Sequence, residues 1–116
     1  MARPRGSGGA AEAAAAAFLV RHGLSLLQSN YRCRLGEIDL VLRDGPTVVF
    51  AEVRLRTSRS FGGAAESIDA RKRARIIAAA RHYLAGKHEM PCRIDVVLLE
   101  RLEPPAIEWI RDAFGE

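Results

Sequence analysis

GEIDLVL (residues 36–42) and TVVFAEVRL (residues 47–55) are two apolar runs that carry charge where charge is expensive: Asp39 in the first, Glu52 and Arg54 in the second. Both runs are rich in β-branched and apolar residues and read as strands. Between them lies Arg43-Asp44-Gly45-Pro46, whose Asp-Gly step is hairpin-turn chemistry and whose proline ends the loop. A loop of about four residues predicts antiparallel partners whose numbers sum to about 91, so that Asp39 faces Glu52 and Glu37 faces Arg54. Side chains alternate along a strand. Glu37, Asp39 and Val41 are therefore expected on one face with Phe50, Glu52 and Arg54, and Ile38, Leu40 and Leu42 on the other with Val49, Ala51 and Val53. A carboxylate buried among Val, Ile, Leu and Phe is costly unless a cation compensates it. Opposed side chains stand about 5 Å apart at Cβ, close enough for two carboxylates to share one divalent ion.

The remaining elements fall on either side of this hairpin. Residues 1–9 are Arg, Pro, Gly and Ser and read as a flexible basic arm, leaving residues 10–116 as a single domain. An alanine-rich helix is expected over 10–22, stopped by Gly23. A first strand follows over 24–30, then a basic turn over 31–35. After the hairpin, residues 57–63 (TSRSFGG) are loop chemistry. A second helix is expected over 67–84, with Ala70, Ala74, Ile77, Ala80 and Leu84 as its buried stripe. Residues 92–99 form a fourth strand carrying Asp95, and 106–110 an edge strand anchored by Trp109 beyond Pro104 and Pro105. The order α-β-β-β-α-β-β predicts an α/β layer with a mixed sheet whose first three strands form an antiparallel meander.

Composition limits the function classes. At 116 residues the chain can bury a core without disulfides. Its net charge of +4 is a modest argument for an anionic partner. Cys33 and Cys92 fit no zinc spacing and read as two buried or half-buried thiols in a reducing, cytoplasmic setting. The apolar stretch at 10–20 is mostly alanine, is interrupted by Glu12 and falls short of the roughly 20 residues that a bilayer requires. No small-residue cleavage site follows it, so it is not read as a signal peptide, and no membrane partner is expected. His22, His82 and His88 make no metal spacing.

The strings NYRCRLGEIDLV (30–41), VVFAEVRLR (48–56) and SFG (60–62), then a basic helix and RIDVV (93–97), together resemble the YraN-like family of small bacterial proteins. That family is similar to the Holliday-junction resolvases among the restriction-endonuclease-like PD-(D/E)XK nucleases. The resemblance runs from residue 9 to residue 97. It implies a restriction-endonuclease-like mixed β-sheet flanked by helices, with Asp39 as the motif aspartate, Glu52 as the motif glutamate and Arg54 where the motif usually carries lysine. It also implies that Glu12 on the first helix helps to hold metal, that Lys72 occupies a common basic position, and that the protein forms a homodimer. The implied activity is Mg²⁺- or Mn²⁺-dependent endonuclease cleavage of structured or branched DNA, with DNA favoured over RNA as partner.

The residue types suit that chemistry. Mg²⁺ takes few carboxylate ligands and keeps several waters, so Asp39, Glu52 and Glu12 with main-chain carbonyls of residues 51–53 would suffice. Arg54 stays protonated at any ordinary pH; it can clamp a phosphate but cannot act as a general base. Arg56, Arg59, Arg71, Lys72 and Arg75 become a phosphate-contacting rim if they flank the acids. The alternative is a non-catalytic nucleic-acid-binding protein with a degenerate site. In it the acids belong to an ion-paired strand face, Glu37 to Arg54 and Asp39 to Arg56 or Lys72, and Glu12 faces solvent. Asp95 reads as a structural partner of Arg93 or of a neighbouring strand, and Trp109, Phe61 and Tyr31 as core or anchor residues.

Overall fold

The computed structural model describes residues 7–55, 68–102 and 104–115. Its elements are α1 (Ser7–Arg21), β1 (Ser25–Cys33), β2 (Gly36–Asp44), β3 (Thr47–Leu55), α2 (Ala70–Leu84), β4 (Cys92–Leu102) and β5 (Pro105–Phe114). The five strands form one sheet in sequence order. β1, β2 and β3 are an antiparallel meander, β3 and β4 pair in parallel across the α2 connection, and β5 returns antiparallel at the edge. The expected α/β order and mixed sheet are both present.

Two helices cover the two faces. Ala11, Ala15 and Leu19 recur every four residues on α1 and pack on Leu40, Leu42, Val49, Ala51, Val97 and Leu99. Small side chains let α1 lie close to the sheet. On the opposite face Ile76, Ala79 and Ala80 of α2 pack with Ile38, Val41, Phe50, Ile94, Val96 and Leu98. Central strands β3 and β4 are covered on both sides, which is why they read as nearly continuous apolar runs. α2 begins at Asp69, whose carboxylate accepts the Lys72 N–H at 2.8 Å, so the helix starts three residues later than expected.

Several boundaries differ from the sequence expectation for identifiable reasons. α1 begins at Ser7, inside the stretch assigned to the basic arm, and so takes in Gly8 and Gly9 despite their poor helix propensity. β1 continues through Cys33, where a basic turn over 31–35 was expected: Tyr31, Arg32 and Cys33 pair with Ile38, Glu37 and Gly36, leaving Arg34 and Leu35 as the turn. The β2–β3 turn is two residues rather than about four, with Gly45 at φ 61 in its first central position, as primed hairpin turns demand. The pairing sum nonetheless holds, from Leu40↔Ala51 to Asp44↔Thr47. The stripe of α2 is rotated: Ala70 and Ala74 are exposed, whereas Ile76 and Ala79 are buried. Cys92 is exposed at the start of β4, and Cys33 is half-buried; both thiols are free.

Candidate functional site

The cavity of interest forms where β2 and β3 part. Their pairing stops at Leu40↔Ala51, and the β1–β2 pairing skips Asn30 and Asp39 as it passes from Ser29↔Leu40 to Tyr31↔Ile38. Asn30 sits at φ 57, in the left-handed region that asparagine tolerates. This irregularity breaks the alternation of β2, so Ile38 joins the α2-side core and not, as expected, the face of Leu40 and Leu42. The parted strands leave a cavity of about 410 Å³ lined by Ala11, Glu12, Glu37, Asp39, Glu52, Val53, Arg54, Leu55 and Lys72.

Asp39 and Glu52 meet there, one step beyond the last paired residues Leu40 and Ala51. The Asp39 carboxylate accepts the Val53 N–H at 2.8 Å, which fixes it just beyond the end of the ladder. Glu52 is only 5% exposed, and its carboxyl lies within hydrogen-bonding reach of Asp39. Burial first, and the neighbouring Asp39 charge second, push the Glu52 carboxyl from its ordinary 4.5 up to about 7, against the opposing pull of Lys72 and Arg54. Around neutral pH the Glu52 carboxyl is therefore only partly ionised.

Two cations bracket this pair. Arg54 Nη1 and Lys72 Nζ each stand 3.7 Å from Glu52 Oε2, one from β3 and the other from the first turn of α2. Both are about a third exposed and stand at the limit of ion pairing with Glu52. Glu12 is 9% exposed and lines the same cavity from α1, which overturns its reading as a solvent-facing residue. The expected Glu37–Arg54 pairing does not form: Arg32 Nε holds Glu37 Oε1 at 3.2 Å across β1 and β2. The strands have already separated at that level.

Not every predicted residue is brought to the site. Arg71 and Arg75 are exposed on α2, outside the cavity lining. Arg56 and Arg59 lie outside the described residues, as do the 57–63 loop and Phe61. Glu37, on the cavity wall, was not singled out as a site residue, although the register placed it beside Asp39. Asp95 is wholly buried and structural: it accepts from Arg93 Nε at 3.0 Å, Trp109 Nε1 at 2.9 Å and the Asp112 N–H at 2.9 Å. Trp109 packs beside the α1-side core, and half-buried Tyr31 is hydrogen-bonded to His82.

The donor set suits a hard divalent cation. Among the described residues no three His, Cys, Asp or Glu side chains already form a metal cage. The chain offers a close carboxylate pair, with Glu12 on the same wall. Mg²⁺ asks for little more than one or two carboxylates and water.

Comparison with known proteins gives the chain its relatives. A UPF0102 protein of Nitrosomonas europaea is 57% identical over 110 residues, spanning 94% of this chain and 93% of its own length. One from Nitrosospira multiformis is 56% identical, spanning 92% and 91%. A relative in Pseudomonas aeruginosa is 50% identical over 116 residues, spanning 95% and 93%. A family model described as "Uncharacterised protein family UPF0102" matches residues 11–99, a span that includes Glu12, Asp39, Glu52, Arg54 and Lys72. The chain belongs to the UPF0102 family.

Proposed function

We propose that this protein is a metal-dependent endonuclease that hydrolyses phosphodiester bonds in structured or branched DNA, with Asp39 and Glu52 holding Mg²⁺ or Mn²⁺ and Glu12 assisting from α1. The observation that carries this reading is the carboxylate pair: two acids from different strands, within hydrogen-bonding reach of each other at an open cavity flanked by two cations. A bound divalent ion would supply an acidified water and charge neutralisation at the phosphate. The chain's own residues do the rest. Asp39, fixed by the Val53 N–H, would present its carboxylate to the ion from beside β3. Arg54 offers a planar fork to the non-bridging oxygens. Lys72, rather than Arg54, brings an amine to Glu52, in the role for which the usual motif employs a lysine on the strand.

Basic residues outside the cavity support a polyanionic partner. α2 carries Arg71, Lys72, Arg73 and Arg75 near its start and no acid anywhere along its length. Positive charge there opposes the helix dipole and costs about 0.3–1 kcal/mol per residue. An approaching phosphate backbone reverses that penalty. Free Cys33 and Cys92 agree with a reducing cytoplasmic location. No helix among the described residues is long and apolar enough to cross a membrane.

One observation favours the rival reading, a nucleic-acid-binding protein with a silent site. Lys72 and Arg54 already offset the Glu52 charge without any metal. Incubating purified protein with four-way junctions, forks and linear duplexes in Mg²⁺, Mn²⁺ or EDTA separates the two. Metal-dependent cleavage lost in Asp39→Asn supports the enzyme; salt-sensitive binding with no cleavage in any metal supports the rival.

A further inference from the structure

We infer that the tip of the β1–β2 hairpin, Arg34-Leu35, is a wedge that recognises a break in DNA base stacking beside the carboxylate cavity; this deepens the nucleic-acid reading above and rests on it. Leu35 is 47% exposed at a two-residue turn. Glu37, only two residues on, lines the cavity, so the tip lies within about 7 Å of its wall along the chain.

The tip is held rather than loose. A Cβ at Gly36 would come within 2.5 Å of the Arg75 carbonyl oxygen, so the hairpin backbone is seated directly on α2. The Arg32–Glu37 pair and the Tyr31–His82 hydrogen bond brace the strands on either side. A fixed tip can present its side chain without losing much freedom on binding.

Charge around the tip selects the partner. Arg34, Arg71 and Arg75 are exposed, and among the described residues none has an acid within ion-pairing distance. Arg71 and Arg75 are one helical turn apart, a like-charge spacing that weakens a helix in isolation and is relieved by an anion. Arginines of this kind satisfy phosphates, but Leu35 among them cannot. The broadest apolar surfaces of nucleic acid are the faces of its bases, which are closed in a continuous duplex and open where stacking is interrupted. The occupant that meets both demands is a DNA duplex with a fork, nick or junction, its phosphates on Arg34, Arg71 and Arg75 and its terminal base pair against Leu35.

The test uses full-length protein in EDTA at low salt, with forked and linear duplexes of one sequence carrying 2-aminopurine beside the fork. The parent protein is expected to prefer the fork and to raise the 2-aminopurine fluorescence on binding. Leu35→Ala should abolish the rise and lower the fork-to-linear affinity ratio about tenfold. Leu35→Met, similar in volume, should keep both. Arg34→Gln or Arg75→Gln should weaken fork and linear duplex alike and lower the salt slope by about one per charge removed. A Leu35→Ala protein that unstacks and prefers forks as the parent does would overturn the wedge. So would a parent without fork preference or one that binds no DNA. Because binding is read without metal, unstacking without any cleavage in Mg²⁺ supports the wedge while overturning the enzyme. Metal-dependent cleavage indifferent to Leu35 does the reverse.

Discussion

Replacing Glu52 with Gln should make the metal-free protein more stable at pH 8, although it removes a buried group with two cationic neighbours. The reasoning is linkage. Folding raises the Glu52 carboxyl from 4.5 to about 7, so the folded chain holds this proton more tightly than the unfolded chain. The associated stabilisation is complete below pH 4.5, declines as pH rises through about 7, and is absent above it. At about 1.4 kcal/mol per pH unit, the difference between 4.5 and 7 is about 3 kcal/mol. Glu52 is 5% exposed, so solvent screening does not erase this figure. Glutamine keeps the shape and a hydrogen-bond donor toward Asp39 without the charge. Urea unfolding in EDTA from pH 4 to pH 8 checks the reasoning. The parent should lose about 3 kcal/mol across that window relative to Glu52→Gln, other carboxylates cancelling between the two. Parallel stability profiles would refute it.

Further outcomes follow from individual contacts. Lys72→Met should lower cleavage more than Arg54→Lys does, because lysine at residue 54 retains a cation at that place whereas residue 72 then offers none; initial rates in Mg²⁺ decide, and the reverse order would return the main role to Arg54. Asp95→Ala leaves Arg93 and the Trp109 and Asp112 donors without their buried acceptor and should cost about 3–5 kcal/mol in urea unfolding. A loss below about 1 kcal/mol would mean that this network is not needed to hold β5. Gly36→Ala places a methyl against the Arg75 carbonyl and should cost about 1–3 kcal/mol, with the hairpin displaced from α2. An unchanged midpoint in thermal unfolding would show that the hairpin yields freely.

The parts of this molecule visible in its sequence are those set by short-range rules. Periodicity located both helices and all five strands, and the hairpin numbering brought Asp39 to Glu52 because a two-residue period leaves little freedom once a turn is fixed. What escaped was set by contacts between elements. Ile38 changes face because Asn30 and Asp39 interrupt the ladder, and no local preference announces that break. Only the family resemblance puts Glu12 at the site, since an acid in an alanine helix would by itself be read as solvent-facing; it lines the cavity because α1 lies close to the sheet. Lys72 looked like one of several surface cations; the start of α2 at Asp69 is what brings its amine to Glu52. The α2 stripe was offset because Ile76 and Ile77 are both apolar, and only packing on Ile38 and Phe50 chooses Ile76.

Calorimetric titration of Mn²⁺ into the metal-free protein at pH 6.5, in two buffers of different ionisation enthalpy, addresses the Asp39–Glu52 pair most directly. Binding at this pair requires ionised carboxylates and so must displace the proton that Glu52 holds below pH 7. The expected result is saturable binding with release of about three-quarters of a proton per ion, lost in Asp39→Asn and in Glu52→Gln. Binding that persists unchanged in both variants, or no binding to the parent, would contradict a metal site built on these two carboxylates.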